Sequence, residues 1–223
     1  MARAETALVV GIDEAGRGAW LGPLVVGAFA APADRLDALR AAGAKDSKQL
    51  SAAARSAVYD RLAALGECHS VALEPAEIDR HVAHGGLNEL EADAFARLVR
   101  EVGPAVAYLD ACDTNAARFG RRVARLAGAG VRIVSRHRAD VDHPFVGAAS
   151  IVAKVRRDRA IADLARALGA DVGSGYPADP KTVGFVRETV PAGGPRPAWL
   201  RASWATTQRV IPAGPARALD RFG

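Results

Sequence analysis

Two adjacent carboxylates at the end of an apolar segment are the first residues in this sequence that could do chemistry. The apolar run at residues 8–12 predicts a buried strand, and Asp13 and Glu14 follow it directly. Burying two negative charges is costly unless a counter-charge offsets them, and hard divalent cations are bound through oxygen ligands. Asp13 and Glu14 are therefore candidate metal ligands, and a solvated turn is the alternative interpretation.

A loop with two glycines and an arginine follows the two acids. Gly16 and Gly18 allow backbone N–H groups to approach a bound group closely, and the guanidinium of Arg17 suits a phosphate. Loop glycines can also serve turn geometry alone. Together with the acids, this loop suggests a metal ion and a phosphate ester side by side.

Further acids are placed where they could complete such a site. Phosphoryl transfer at two metal ions needs about three or four carboxylates from different elements. Asp110 ends a predicted strand, as Asp13 does, and Asp140 follows a third one. Acids at the ends of neighbouring strands share one sheet edge, so these three can meet in space. Asp113 and Asp142 are rival candidates, and each acid could instead belong to a turn or a helix start.

The elements that must position these residues alternate between strands and helices. Hydrophobic periodicity predicts strands at residues 8–13, 23–31, 68–73, 105–110 and 131–135. It predicts helices at residues 34–43, 52–65, 75–82, 87–102, 115–126, 146–168 and 198–209. The alternation favours an α/β fold, and the short loop between the first two strands favours a mixed sheet.

Length and composition fit one large domain with an addition. With 223 residues, 50% of them hydrophobic, the chain can bury a substantial core. We expect a catalytic domain over residues 1–175 and a basic, helical, substrate-binding appendage over residues 176–223. The sequence contains no apolar run long enough for a membrane span, no signal peptide and no Cys-x-x-Cys pair. We therefore expect a cytoplasmic protein with reduced thiols.

The net charge of +5 is concentrated in the sequence. Residues 181–223 carry seven Lys and Arg and two acids, which is the whole excess, and residues 118–138 hold seven arginines without one acid. Such clusters favour a polyanionic partner, since neutralised phosphates supply most of the non-specific affinity for nucleic acid. A GC-rich genome would account for the choice of arginine, but not for the missing acids.

Six ordered blocks of this sequence resemble the ribonuclease HII family, and its archaeal-type members more closely. The blocks are Asp13-Glu14-Ala15-Gly16-Arg17-Gly18 with Leu21-Gly22-Pro23-Leu24, Lys45-Asp46-Ser47-Lys48-Gln49-Leu50, Leu109-Asp110-Ala111-Cys112-Asp113-Thr114-Asn115, His137-Arg138-Ala139-Asp140, the run at 148–158, and Gly173-Ser174-Gly175-Tyr176-Pro177 with Asp179-Pro180-Lys181-Thr182. Residues 199–204 resemble the basic C-terminal helix of archaeal-type members. The chain departs from the family pattern at Ala19, usually proline, and at Arg138, usually lysine.

The resemblance implies a ribonuclease H-like mixed sheet flanked by helices, with a helical C-terminal appendage. It implies an endonuclease that cuts the RNA strand of RNA/DNA hybrids and incises duplex DNA 5′ to single embedded ribonucleotides, leaving a 5′-phosphate and a 3′-hydroxyl. The cofactors would be Mg²⁺ or Mn²⁺, two per site. By the same resemblance the metal-binding catalytic acids are Asp13, Glu14, Asp110 and Asp140.

The resemblance also implies how the substrate is recognised. Gly16, Arg17 and Gly18 would bind the ribose 2′-hydroxyl through their backbone, and Tyr176 would stack on the sugar of the following deoxynucleotide. Apart from the resemblance, Lys48 could contact a phosphate, and an ordinary surface or structural cation is the alternative interpretation. The 2′-hydroxyl is the group that distinguishes RNA from DNA at a single position.

The expected partners are RNA/DNA hybrids and ribonucleotide-containing duplex DNA, and we expect a monomer. Residues 219–222 could dock on a sliding clamp, although short apolar tails also match such motifs by chance. Two alternatives stay open at this point. The chain could be another metal-dependent nuclease or resolvase of the same fold, or a hybrid-binding protein with an impaired site.

Overall fold

The structure, a computed structural model, describes residues 6–44 and 50–211, and its centre is a mixed sheet of five strands. The strands are β1 (Leu8–Ala15), β2 (Leu24–Pro32), β3 (Glu67–Leu73), β4 (Val106–Asp110) and β5 (Arg132–Arg136). Their order is β3-β2-β1-β4-β5. Strand β2 is antiparallel to β1 and β3, whereas β4 is parallel to β1 and β5. The predicted α/β mixed sheet is confirmed.

Helices cover both faces of this sheet. In the described part of the chain they are α1 (Leu36–Ala42), α2 (Ala52–Ala63), α3 (Pro75–Val82), α4 (Leu87–Val102), α5 (Ala116–Ala127), α6 (Ala139–Asp142), α7 (Pro144–Leu168), α8 (Pro180–Thr189) and α9 (Ala205–Val210). Side-chain caps set the starts of α2 and α5. The Ser51 hydroxyl accepts from the N–H of Ala54, and the Asn115 side chain accepts from the N–H of Arg118. None of the described helices is long and apolar enough to cross a bilayer.

The C-terminal helices differ from the prediction. Helix α8 was not predicted, although Asp179 caps it by accepting from the N–H of Lys181 and Pro180 stands at its first turn. The helix predicted at residues 198–209 is confined to α9. Residues before α9 do not continue it because the N–H of Arg201 donates to the carbonyl of Trp20 instead.

The pleat of β1 sends successive side chains to opposite faces. Val10 and Ile12 belong to a core cluster with the side chains of α4 and α5, whereas Val9 belongs to a second cluster with α1, α2 and α7. The same alternation directs Asp13 towards α7 and Glu14 towards α4. The two adjacent acids therefore enter different environments.

Helix α7 lies unusually close to the sheet because glycines face it. A Cβ atom on Gly11 of β1 would lie 2.1 Å from the carbonyl oxygen of Phe145, and one on Gly27 of β2 would lie 2.5 Å from the nitrogen of Ala153. Backbone atoms cannot yield as a flexible side chain can. These glycines are therefore required for the depth at which α7 meets β1 and β2.

A third core cluster joins the loop after β1 to the C-terminal part of the chain. It includes Trp20 and Leu21 from that loop, Ile161 from α7, Phe185 from α8 and Leu200. Leu21 and Leu200 also form an isolated antiparallel bridge. The division of the chain at residue 175 stays a prediction.

Gly27→Ala should destabilise the protein by about 1–3 kcal/mol, because the added methyl group overlaps backbone atoms of α7. Gly184→Ala is the matched control, since a Cβ there meets nothing within 4 Å and alanine suits a helix. Urea unfolding of both variants measures the difference. Equal free energies of unfolding would contradict the close packing of α7.

Candidate active site

Three carboxylates converge where β1 and β4 end. Asp13, Asp110 and Asp140 each offer an oxygen, and these oxygens lie within 4.8 Å of one another. The parallel register pairs Ile12 with Leu109, so the next residues on the two strands, Asp13 and Asp110, come side by side. The fold thus brings together three of the four acids that the sequence predicts.

Asp140 reaches this cluster through the short helix α6. Arg138, just before α6, has φ 58° and ψ 31°, a left-handed conformation that is uncommon outside glycine. This turn reverses the chain between β5 and α7. The N–H of Ala139 then donates to Oδ1 of Asp110 over 3.4 Å, which links α6 to the end of β4. Asp140 is buried as a result.

Glu14 lies beside the three aspartates but not in their group. Burial, followed by the charges of Asp13 and Glu91, raises the pKa of Glu14 well above its usual value. Its side chain is on the α4 face of β1, as the pleat requires. A metal-binding role for Glu14 stays a prediction.

The aspartates are electrostatically costly without a counter-ion. Burial, with the charges of Asp13 and Asp140, raises the pKa of Asp110 to about 6. Burial also raises the pKa of Asp13, and the nearby ammonium of Lys154 opposes that increase. A set of acceptor-only carboxylate oxygens at this spacing fits a hard divalent cation, which would neutralise the repulsion.

The two rival acids lie outside the described cluster. Asp113 accepts from Nε and Nη2 of Arg118 over 3.1 and 2.6 Å, and this hydrogen bonding lowers the pKa of Asp113 to about 2. Asp142 is exposed on α6. Neither belongs to the three-acid group that could hold a metal ion.

Two residues of α4 hold the Gly16-Arg17-Gly18 loop in place. Arg17 donates through Nε to both carboxylate oxygens of Glu91, over 2.9 and 3.1 Å, and through Nη2 to Asn88 over 2.5 Å. The sequence suggested a phosphate for this guanidinium, yet these contacts show that it anchors the loop. Gly16 has φ +87°, and a Cβ there would lie 2.3 Å from Nε of Arg157.

The backbone of this loop retains free donors. Among the described residues, the N–H groups of Arg17 and Gly18 have no acceptor. Gly18 is exposed, and a Cβ on it would meet nothing within 4 Å. A ligand can therefore approach the loop closely at this point.

Glu91 is a site residue that the sequence analysis missed. Its side chain is fully buried and belongs to α4. A signal was present, since Glu91 is four residues from both Leu87 and Phe95 and so lies on the predicted apolar face of that helix. Burial raises the pKa of Glu91 and the charge of Arg17 opposes the increase, as expected for a buried ion pair.

Tyr176 lies across a cleft from the end of β1. The guanidinium of Arg157 is 4.5 Å from the centre of the Tyr176 ring. A cavity of about 260 Å³ is lined by Ala15 of β1, by Lys154 and Arg157 of α7, by Tyr176, and by Arg55 and Asp158. Tyr176 and Lys154 thus face one space next to the acids. Lys48 lies outside the described residues.

Comparisons with known proteins agree with this geometry. The family model of ribonuclease HII matches residues 10–207. Ribonuclease HII of Methanocella arvoryzae is 44% identical over 212 residues, which covers 95% of each chain. Ribonuclease HII of Cenarchaeum symbiosum is 43% identical over 208 residues, which covers 93% of this chain and 99% of that relative.

Solved structures show the same similarity. Ribonuclease H2 from Pyrococcus horikoshii has a TM-score of 0.83 at 35% identity, covering 92% of this chain and 97% of that one. The Archaeoglobus fulgidus structure of a PCNA:RNase HII complex has a TM-score of 0.82 at 36% identity, covering 91% and 96%.

A mixed sheet with acids gathered at the ends of parallel strands, together with these similarities, defines a ribonuclease of the RNase H class. The chain belongs to the ribonuclease HII family, as the sequence resemblance indicated, and is an endoribonuclease of type 2. Members of that family are divalent-metal enzymes, and the buried aspartates fit a metal site.

Without divalent cations, Asp110→Asn should stabilise the protein at pH 8 by roughly 1 kcal/mol, after allowance for solvent screening. The carboxyl group of Asp110 holds its proton more tightly in the folded protein than in the unfolded chain. The stability that Asp110 contributes is therefore present below pH 4 and lost as the pH rises through about 6. Thermal unfolding at pH 4 and pH 8 measures this, as a gain of about 2–4 °C at pH 8.

Asp113→Asn is the control with the opposite sign. In the folded parent protein the pKa of Asp113 is lowered to about 2. The stability that the Asp113 carboxylate contributes is therefore present at pH 8 and lost as the pH falls through about 2. Asp113→Asn should therefore melt below the parent at pH 8. If Asp110→Asn also melted below the parent in chelator at pH 8, the repulsion within the aspartate cluster would be refuted.

Proposed function

We propose that this enzyme cuts the RNA strand of RNA/DNA hybrids and incises duplex DNA 5′ to single embedded ribonucleotides, leaving a 5′-phosphate and a 3′-hydroxyl. The supporting observation is the convergence of Asp13, Asp110 and Asp140 next to a loop whose backbone donors at Arg17 and Gly18 are unused among the described residues. The aspartates can hold cations against a phosphodiester, and the loop can recognise the sugar beside it.

Asp13, Asp110 and Asp140, with Glu14 adjacent, would hold Mg²⁺ or Mn²⁺, and we propose two ions per site. Bound divalent cations supply charge neutralisation at the phosphate and a more acidic water as nucleophile. The chain itself keeps the ligands in place. The N–H of Glu14 donates to Oδ1 of Asp13 over 2.8 Å, and the ammonium of Lys154, which donates to Ser150 over 2.5 Å, adds positive charge near Asp13.

The loop with Gly16, Arg17 and Gly18 would recognise the ribose through its backbone. Because Glu91 and Asn88 fix the Arg17 side chain, the loop is held without its guanidinium touching substrate. A rigid donor that loses its 2′-hydroxyl partner is left unpaired, and such sites discriminate by roughly 10⁴–10⁵. This recognition accounts for the choice of RNA over DNA.

Tyr176 would stack on the sugar of the following deoxynucleotide. Its ring is held by Arg157 at 4.5 Å, and Arg157 itself donates to the carbonyl of Ser174 over 3.2 Å. This contact would test for an RNA–DNA junction on one side of the scissile bond.

The expected partners are nucleic acids, and a clamp contact is a further proposal. A related archaeal ribonuclease HII has been solved in complex with PCNA, which supports testing for clamp binding here. Residues 219–222, the candidate docking segment, lie outside the described residues. We further propose that the enzyme acts as a monomer in the cytoplasm, and its free thiols at Cys68 and Cys112 agree with a reducing compartment.

A duplex with one ribonucleotide should be cut on the 5′ side of that ribonucleotide with Mg²⁺ or Mn²⁺, while the matching all-DNA duplex stays intact. Asp13→Asn should lower the rate at least about 100-fold, because it removes a charged ligand from the cluster. Asp142→Asn, at an exposed acid outside the cluster, is the matched control and should stay within a few-fold of the parent. Gel analysis of end-labelled products measures rate and position. Equal cutting of the all-DNA duplex would rule out the proposal.

Tyr176→Ala should lower cleavage of single-ribonucleotide duplexes more than cleavage of continuous hybrids, by about 10-fold in the ratio of kcat/KM values. A continuous hybrid does not require a deoxynucleotide next to every cut, so it depends less on this stacking. Tyr176→Phe keeps the ring over Arg157 and should retain the parental ratio. Equal losses on both substrates would argue against a junction role.

A further inference from the structure

Arg201 bonds to the loop after β1 from the opposite end of the sequence. Its guanidinium is fully buried, with Nη1 donating to the carbonyl of Arg17 over 3.0 Å and Nε donating to the carbonyl of Gly22 over 3.2 Å. Its backbone N–H donates to the carbonyl of Trp20 over 3.1 Å. One residue thus binds three carbonyl groups of the loop at residues 16–22.

Neighbouring residues of segment 199–207 reinforce this contact. The N–H of Gly22 donates to the carbonyl of Trp199 over 2.9 Å, and the indole N–H of Trp20 donates to the hydroxyl of Thr207 over 2.6 Å. That hydroxyl donates in turn to the carbonyl of Arg201 over 2.6 Å. The loop and segment 199–207 are therefore one hydrogen-bonded unit.

The burial of Arg201 is expensive. Within the described residues it has no carboxylate at salt-bridge distance, so carbonyl oxygens and the ring of Trp204, 5.2 Å away, stabilise its charge. Burial, with the nearby charge of Arg157, lowers the pKa of Arg201 to about 10. Packing alone would favour an apolar side chain here. The presence of an arginine here is therefore explained by its two donors, Nε and Nη1, which bond to the loop carbonyls.

We propose that Arg201 is a positioning residue for ribonucleotide recognition. By fixing the carbonyl of Arg17, it orients the peptide group between Arg17 and Gly18, whose N–H at Gly18 has no acceptor among the described residues, and its bond to the carbonyl of Gly22 fixes the other end of the loop. This inference rests on the proposed function of the loop. In this role Arg201 touches no substrate. It keeps the loop rigid, and selective binding of a 2′-hydroxyl requires that rigidity.

Lysine cannot replace this arginine. Nε and Nη1 belong to one planar group and reach two carbonyls at once, whereas an ammonium is a point charge on a flexible stem. Arg201→Lys therefore keeps the charge and removes the fixed geometry.

The experiment compares two duplexes that differ in one 2′-hydroxyl. Their Kd values are measured by fluorescence anisotropy in chelator, where no cleavage takes place, for the parent enzyme and for Arg201→Lys. The parent should bind the ribonucleotide duplex more tightly than the DNA duplex. Arg201→Lys should lose most of this preference, bind the DNA duplex within a few-fold of the parent, and lose about 10- to 100-fold in kcat/KM with metal present.

Val190→Ala is the control for mere loosening of this region. Val190 belongs to the same buried cluster as Trp20 and Leu200 but makes no side-chain hydrogen bond to the loop. It should lower the melting temperature while keeping the ribonucleotide preference. Thr207→Val, which removes the hydroxyl between Trp20 and Arg201, is a second test variant and should reduce the preference less than Arg201→Lys does.

The outcomes separate the two ideas. A parent enzyme without any ribonucleotide preference would overturn the proposed function of the loop. A parent with that preference, and an Arg201→Lys variant that keeps it, would overturn the role of Arg201 alone. If Arg201→Lys does not fold, Thr207→Val replaces it in the test. A Thr207→Val variant that keeps the parental ribonucleotide preference would then overturn the role of Arg201.

Discussion

Three carboxylates that repel one another must be held close enough together to share a cation, and the rest of this structure serves that constraint. Asp13, Asp110 and Asp140 come from two strands and a single helical turn, so no local segment can set their spacing. A rigid frame must do so. The frame is the close contact of α7 with β1 and β2, made possible by Gly11 and Gly27, which leaves the strand ends little freedom to relax apart.

The pleat of β1 places two adjacent acids on opposite faces of the sheet. Asp13 joins the aspartates on the α7 face, while Glu14 shares the α4 face with the Glu91–Arg17 pair. Glu14 is thereby coupled electrostatically both to the aspartate cluster and to the anchored loop. Because a strand alternates its side chains, the dipeptide connects the aspartate cluster with the loop proposed to recognise the sugar.

Local pattern predicted most of the fold but only part of the site. Helices α3 and α4 begin and end as predicted, since each has a clear apolar face and a clear boundary. Strand-end position was enough to identify Asp13, Asp110 and Asp140 as neighbours. Helix α8 was missed because glycines and prolines around it suggested loop, although Asp179 and Pro180 mark its start. The partnerships of Arg17 with Glu91 and of Arg201 with the loop join residues 74 and 184 positions apart, which no local periodicity records.

The order of these contacts along the chain has a consequence for synthesis on the ribosome. The three aspartates and the part of α7 near them lie before about residue 155, whereas the hydrogen bonds of the loop after β1 are completed only when Trp199, Arg201 and Thr207 have been added. Synthesis delivers the chain from its N-terminal side, and a domain generally folds as a unit. The residues proposed to hold metal ions are thus synthesised before those that complete the loop proposed to recognise the sugar.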